Sequence, residues 1–337
     1  MTIHETVRQM THGQFKDVVA TMVGAVPELT FDEAERLIGD KGNLVISIRE
    51  AVEHHAGRAA RSTVELVKPV LSFPPLRAVE EFEDWLKKVL ELEKSCHLAF
   101  FGQEFDLTQF EAALKKYGPE KLMAWLALGL EPHFLPKVEM SREVQFPGWK
   151  VKPNDWFWQQ LQAGKILRDR NGELVAAKVV KLEGITVLID TRLKPRYKSG
   201  KQMWESDTLL GPILIQLREK EKIAKYEYGT QGSRFGVSAD EWEDEVKPAL
   251  AGKIGLEPSQ PRFERVIEAS AIPQLYHYML RKEDGKTNTW VWYDEYFGGR
   301  SSRLRGGDSG NGGLAGVDWS GARNNWGDGS FRPLAVL

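Results

Sequence analysis

The sequence predicts an α+β protein: a helical N-terminal region, residues 1–135, precedes a second domain, residues 136–337, of two helices and short, mostly antiparallel strands. In the first region apolar residues recur at helical spacing, as at Phe82, Trp85, Leu86 and Val89. Nine of the eleven tryptophans lie from Trp149 onward, among glycine-rich runs. Helices mixed with short strands in that half describe an α+β arrangement.

The N-terminal region contains several predicted helices, expected to serve oligomerisation or partner docking. The longest are Val79–Cys96, Phe105–Tyr117, which Gly118-Pro119 ends, and Glu120–Leu130. Residues Thr30–Val52 have the outline of a helix–turn–helix, but their second helix offers only Asn43 and Arg49 for base contacts. We therefore expect no nucleic-acid binding, and a regulatory protein that contacts DNA through residues 30–52 is the alternative.

A domain boundary is predicted between residues 131 and 148, where Pro132, Pro136 and Pro147 interrupt any apolar period. Beyond it, Val175–Val180 and Ile185–Ile189 predict a hairpin, and Ser238 with Glu241 predicts a capping box that opens a helix. The remaining predictions are a helix at Asp207–Ile223, an extended segment at Arg262–Ala269, and strands at Thr289–Tyr293, Ser302–Arg305, Gly313–Asp318 and Phe331–Leu337.

Composition excludes several classes of protein. The formal net charge is -2, so no global basic field attracts nucleic acid or membrane. No apolar run approaches the roughly 20 residues of a membrane span, and the N-terminus lacks the apolar centre of a signal peptide. We expect a cytoplasmic protein by default, with surface display by another route left open. A single cysteine, Cys96, excludes an intrachain disulfide and a cysteine-rich zinc site, and we expect neither metal nor cofactor.

Gly307-Asp308-Ser309-Gly310 has the letters that surround the nucleophile of chymotrypsin-like serine proteases. A serine nucleophile needs a base within hydrogen-bond reach and an orienting carboxylate, and the chymotrypsin type also needs an all-β double barrel. Here the upstream half is helical, and Asn311 stands where that family has glycine. Short Gly/Asp/Ser strings are common in turns. We therefore interpret Ser309 as part of a turn and expect no enzymatic activity.

The C-terminal half resembles a C-type-lectin-like fold. It is most similar to the variable proteins that diversity-generating retroelements modify in bacteria and phages, and formylglycine-generating enzymes share that fold. The resemblance covers residues 146–337 and rests on these stretches: Phe146-Pro147-Gly148-Trp149, Thr287-Asn288-Thr289-Trp290, Trp290-Val291-Trp292, Arg303-Leu304-Arg305-Gly306-Gly307, Gly312-Gly313-Leu314-Ala315, Trp319 and Gly329-Ser330-Phe331-Arg332-Pro333-Leu334.

The resemblance implies a binding protein whose gene is rewritten at its 3′ end by an error-prone reverse transcriptase. Misread template adenines would turn Asn codons into codons for many residues, although not for Trp. Residue types that such randomisation can give are Asp308, Ser309, Asn311, Asp318, Ser320, Arg323, Asn324, Asn325, Asp328 and Ser330. Together with Trp319 and Trp326, which would be framework anchors, they are the candidate ligand-binding residues on one exposed face. The expected ligand is a protein or another macromolecule.

Two departures limit what the resemblance implies. The Glu-Pro-Asn, Gln-Pro-Asp and Trp-Asn-Asp motifs of calcium-dependent lectins are missing, so no calcium-dependent sugar site is expected. Formylglycine-generating enzymes use active-site cysteines, whereas Cys96 lies alone in the helical half. A degenerate enzyme on the same fold is therefore only an alternative. We expect a non-enzymatic ligand-binding protein.

Overall fold

A computed structural model describes residues 72–168, 179–192, 197–198, 201–202, 207–279 and 285–337. The fold is α+β, as predicted, with helices first and most strands later. The candidate DNA-binding segment, Thr30–Val52, lies outside the described residues, and so does the first strand of the predicted hairpin apart from its end.

The predicted helices before residue 130 are confirmed where the structure describes them. Gly118, at φ 76° and ψ 166°, breaks α2 at the predicted position. Ser238 begins a helical stretch through the predicted capping box, since its Oγ accepts from the Glu241 amide at 3.2 Å. The helices are α1 (Phe82–Phe101), α2 (Thr108–Ala127), α3 (Asp155–Gln162), α4 (Gly211–Glu219), α5 (Ala239–Glu241), α6 (Lys247–Ile254), which follows a π-helical turn (Trp242–Val246), and α7 (Val266–Leu275).

The strands form two main sheets. The larger is antiparallel in the order β1-β3-β11-β6. The smaller has the order β10-β7-β8-β9, with β2 beside β7 and with β10 parallel to β7. The strands are β1 (Leu130–Met140), β2 (Ile166–Leu167), β3 (Val180–Asp190), β4 (Tyr197–Lys198), β5 (Lys201–Gln202), β6 (Pro261–Phe263), β7 (Trp290–Phe297), β8 (Ser302–Gly306), β9 (Val317–Gly321), β10 (Gly329–Phe331) and β11 (Pro333–Val336).

Several sequence predictions are wrong. The described part of residues 136–337 has more than the two predicted helices, and the predicted strand Gly313–Asp318 is a 3₁₀ turn (Gly313–Ala315) followed by β9 from Val317. The predicted domain boundary at 131–148 is largely occupied by β1, eleven residues long. Leu182-Glu183-Gly184 does not form a hairpin turn: Gly184 has a positive φ of 73°, yet β3 continues through it. The segment Arg262–Ala269 is extended only in its first half, since β6 ends at Phe263 and α7 begins at Val266. The sequence does not reveal α7 because nearly all its residues are buried and it shows no amphipathic period.

The helices of the N-terminal region share their core with the sheets. One apolar cluster joins Trp85 of α1 and Trp125 of α2 to Leu188 of β3 and Phe331 of β10. A second, on the opposite face of the larger sheet, contains Val187 and Leu334. All the described residues belong to one compact unit. The predicted boundary between residues 135 and 136 therefore does not separate two cores, since Leu135 lies inside β1.

A buried polar cluster covers the free edge of β1. The Glu93 carboxylate of α1 accepts from the Phe134 amide at 3.3 Å, and His97 Nε2 lies 2.9 Å from the Phe134 carbonyl oxygen. The Tyr276 hydroxyl lies 3.1 Å from the same carbonyl. Pro132 and Pro136, two residues to either side of Phe134, have no N–H to leave unpaired on this edge. The prolines are tolerated because β1 is an edge strand, which the sequence pattern did not reveal.

His133 is held between two carboxylates in this cluster. Its Nδ1 lies 2.6 Å from Glu93 Oε1 and its Nε2 lies 3.3 Å from Glu131 Oε2. Burial alone lowers the pKa of His133, but Glu93 and Glu131 raise it above its ordinary value. An imidazolium that donates to both carboxylates satisfies all three groups.

We expect His133→Gln to destabilise the protein by about 3–5 kcal/mol in acid, because Glu93 is left buried without its cation. A histidine whose folded pKa is raised contributes stability that is fully present below its unfolded value of 6.5 and is lost as the pH rises through the folded value. The stability difference between the native and variant proteins should therefore shrink as the pH rises, measured by urea unfolding at several pH values. His277→Gln, at an exposed histidine, is the control. A difference that stays constant with pH would contradict this assignment.

Candidate functional site

Strands β8 and β9 carry the C-terminal candidate residues. Their ladder places Arg305 opposite Asp318 and Leu304 opposite Trp319. Because successive side chains of a strand point to opposite faces, Asp318 and Ser320 share one face of β9 while Trp319 lies on the other. The pleat of β9 therefore decides which candidate residues can act together.

Arg305 organises the first of these faces. Its guanidinium lies between two indoles, with Cζ 4.2 Å from the ring centroid of Trp290 and 4.6 Å from that of Trp326. Its Nη2 donates to Asp318 Oδ2 at 3.2 Å. We call Arg305, Asp318, Trp326 and Asp328 the Arg305 face. Cation–π contacts and the ion pair together fix the side chain in one position.

Asp328 adds an acidic group to the Arg305 face. Burial raises the pKa of Asp328, and the nearby Asp308 raises it further, whereas its own backbone hydrogen bond and Arg305 lower it. Its carbonyl oxygen accepts from the Trp290 amide at 3.0 Å, which anchors the backbone here.

Trp326 is a packing residue as well as a surface residue. Its ring lies 4.3 Å from that of Trp292, at 30°, and it packs against the first apolar cluster. A Cβ at Gly329 would come within 2.2 Å of the Trp326 ring. Gly329 is therefore required for this indole to lie against the backbone.

Arg323, Asn324 and Asn325 form an exposed turn, which is the name used for them below. The Arg323 side chain is 93% exposed, with Nε 3.4 Å from Asp240 Oδ2. Asn325 Nδ2 donates to the Gly236 carbonyl and to Glu241, at 2.9 and 2.7 Å. The preceding Ala322 is buried and donates its amide to Ser301. Thus the turn is exposed while its backbone is anchored on both sides.

Trp319 lies apart from the Arg305 face. It is 44% exposed, and its ring stacks on Phe297 with centroids 5.4 Å apart at 28°. Phe297 in turn lies 5.3 Å from Trp156 of α3. We call these three rings the aromatic stack. The prediction that the candidate residues share one face around both Trp319 and Trp326 is therefore wrong, because the two indoles lie on opposite faces of the β8–β9 pair.

The other candidate residues divide between surface and interior. Ser309 and Asn311 are exposed on a 3₁₀ turn (Ser309–Asn311), whereas Asp308, which caps that turn, is buried. Ser320 is 9% exposed and accepts from Asn324 Nδ2 at 2.9 Å. Ser330 is 1% exposed within β10. Asp308, Ser320 and Ser330 are thus wrongly placed on the exposed face by the sequence, since their hydroxyl or carboxyl groups lie in the interior.

Sequence reasoning did not identify Arg305, Trp290, Phe297 or Trp156 as site residues. Trp290 and Trp292 are two residues apart, and so are Arg303 and Arg305. This period-two spacing predicts that the members of each pair lie on one face of a strand, and it could have indicated Trp290 and Arg305 as site residues. The aromatic stack carries no such signal, because its rings come from three distant segments.

The described residues show no arrangement that would hold a metal ion: no three His, Cys, Asp or Glu side chains among them group closely enough. No histidine in the described part hydrogen-bonds to Ser309, whose amide donates to the Thr287 carbonyl at 2.8 Å. In the same part of the chain, none of the helices combines the length and apolarity required to cross a membrane. The chemistry offered by the exposed residues is hydrogen bonding, charge pairing and aromatic stacking.

Comparison of the chain with protein-family models, with curated proteins and with solved structures finds no match in any of the three.

We expect Trp326→Ala to lower the free energy of unfolding by about 2 kcal/mol or more, because the indole packs on Trp292 and Arg305. Trp319→Ala should cost about 0.5 kcal/mol or less, because nearly half of that side chain is already in water. Urea unfolding of both variants measures the difference. Tyr228→Ala, at a tyrosine that is 46% exposed elsewhere, is the control. Equal losses at 319 and 326 would show that the two indoles are not distinguished as described.

Proposed function

We propose that this protein is a non-enzymatic ligand-binding protein, and that it binds with the exposed turn, together with the Arg305 face on one side of the β8–β9 pair and Trp319 on the other. The observation that carries the proposal is that runs of exposed side chains, most of them polar, directly follow buried anchor residues. Ala322 is 1% exposed, immediately before Arg323, and Asp308 is 6% exposed, immediately before Ser309. Side chains at the exposed positions can therefore change while the core stays the same.

The composition of this surface suits recognition of macromolecules. Asn and Ser provide adaptable hydrogen bonds, while Trp and Arg provide the large contacts that dominate binding energy. Trp319 and Arg323 are both exposed here. Exposure of an indole to water is unfavourable in the unbound protein. A partner that covers the indole removes its apolar surface from water, which stabilises the complex.

The proposal includes diversification by a retroelement, as the resemblance to the variable proteins implies. Ser309, Asn311, Arg323 and Asn324 are exposed and of residue types that adenine-directed randomisation gives. Trp319, which such randomisation does not give, would be a constant anchor. A constant aromatic residue would then supply affinity, while variable polar residues would supply specificity.

A display experiment tests the binding function. Positions 309, 311, 323 and 324 are randomised in the full chain displayed on yeast, and lysozyme is the probe protein. A matched control library randomises Lys87, Glu91, Lys94 and Leu98, which are exposed along α1. We expect binders with dissociation constants below about 1 μM from the first library only. Failure of the first library to display folded protein, or equal recovery from both, would contradict the proposal.

A DNA comparison tests the diversification. Sequence flanking the gene should contain a near-copy of the bases that encode residues 306–337, differing at adenines and adjacent to a reverse-transcriptase gene. Genes from independent isolates should differ at codons 309, 311, 323 and 324 and agree at codons 319 and 326. Differences spread evenly over these codons would exclude this mechanism while leaving the binding function open.

A further inference from the structure

Strand β9 leaves part of its backbone edge open. Two backbone hydrogen bonds show which residues of β9 face β8. The Gly307 N–H donates to the Gly316 carbonyl, and the Ala322 N–H donates to the Ser301 carbonyl. By alternation Asp318 and Ser320 also face β8, while Val317, Trp319 and Gly321 turn their N–H and C=O groups outward. We call the side of β9 that carries these outward N–H and C=O groups the open edge of β9.

Described residues cover both ends of the open edge and leave its middle, at Trp319, uncovered. Asn154, the N-cap of α3, donates its side-chain amide to the Val317 carbonyl at 3.0 Å. The Gly321 carbonyl accepts from Asn324 within the following turn. The N–H and C=O of Trp319 have no hydrogen-bond partner among the described residues, and the residue is 44% exposed.

Aromatic surface lies beside these unpaired backbone groups. The Trp319 ring stacks on Phe297, and Phe297 contacts Trp156, so an apolar patch adjoins the open edge. An unpaired donor–acceptor pair next to an apolar patch is the arrangement by which sheets bind extended peptides: the backbone pairs, and alternate side chains enter the patch.

The charges near the open edge select among such peptides. Ser302 pairs with Gly321, and Ala322 bonds to Ser301, so Arg300 and Arg323 both lie at the Gly321 end of β9. Both are exposed, and within the described part of the chain Arg323 makes only the long contact with Asp240. A carboxylate on the bound peptide would meet two cations there.

We propose that the open edge of β9 binds an extended peptide segment of a partner protein by strand addition, with an apolar side chain of the peptide on the aromatic stack and an acidic residue toward Arg300 and Arg323. This inference rests on the proposed binding function and names the class of partner. It assigns to Trp319 both a backbone role and a side-chain role.

Phage-displayed random peptides of about eight residues, long enough for one strand, are selected against the full chain. The selected peptides should carry an Asp or Glu and alternate apolar with polar residues. Synthetic copies should bind Trp319→Ala about tenfold or more weakly than the native protein, and Tyr228→Ala equally well. N-methylation of the peptide residue that pairs with Trp319 should abolish binding, and the Trp319 amide should exchange its hydrogen at least tenfold more slowly in the complex.

Charge reversal tests whether Arg300 and Arg323 select acidic peptides. The double variant Arg300→Glu, Arg323→Glu should bind the acidic peptides about threefold or more weakly and should select basic ones instead. If no peptide is enriched, if the enriched peptides bind Trp319→Ala normally, or if the edge instead forms a Trp319-dependent dimer of this chain, the inference is overturned. None of these results affects binders recovered from the randomised turn, so failure here is distinguishable from failure of the proposed function.

Discussion

Strand β11, the last strand of the chain, lies between β3 and β6 in the middle of the larger sheet. Its residues alternate between the two apolar clusters, with Leu334 in one and Ala335 in the other. A single residue, Arg332, separates it from β10, which pairs with β7 in the smaller sheet. The two sheets are therefore joined by a one-residue connection, and residues 298–328 must fold between anchors that the core fixes.

Arg332 secures this connection with charge and hydrogen bonds. It donates to the carbonyl oxygens of Asp190 and Arg192, at 3.0 and 2.6 Å. Burial alone would raise the pKa of Asp190, but Arg234, Arg192 and Arg332 lower it below its ordinary value. Such a buried network costs desolvation and is stable only while each partner is in place. The connection between the two sheets thus depends on an interior of paired charges.

The free edges of strands β1 and β9 differ in whether their backbone groups are paired. The free edge of β1 is closed by prolines and by Glu93, His97 and Tyr276, which leave no unpaired group at Phe134. The edge of β9 is covered by Asn154 at one end and then exposes Trp319. Proteins usually protect an open edge with charge, proline or a bulge, because an unprotected edge pairs with other chains. The exposed indole on the open edge of β9 is the feature on which the proposed peptide binding rests.

Local patterns in the sequence determined the elements that depend on a few neighbouring residues. The break of α2 at Gly118, the capping box at Ser238 and the burial of Phe331 and Leu334 follow from backbone preference, short-range hydrogen bonding and hydrophobicity. The exposure of Ser309, Asn311, Arg323, Asn324 and Asn325 also followed from the sequence, because several polar residues in a glycine-rich stretch cannot all be buried. These properties require no knowledge of distant contacts.

The features that depend on contacts between distant residues were decided by the tertiary structure alone. Whether Pro132 ends a strand depends on which edge of the sheet its nitrogen faces, and α7 shows no period because packing surrounds it. The division of Trp319 from Trp326 depends on the pleat of β9, and Ser320 is interior because the Asn324 side chain covers it. The aromatic stack exists only where α3, β7 and β9 meet. Such features are set by distances between residues far apart in the chain, which a single sequence does not encode in any local pattern.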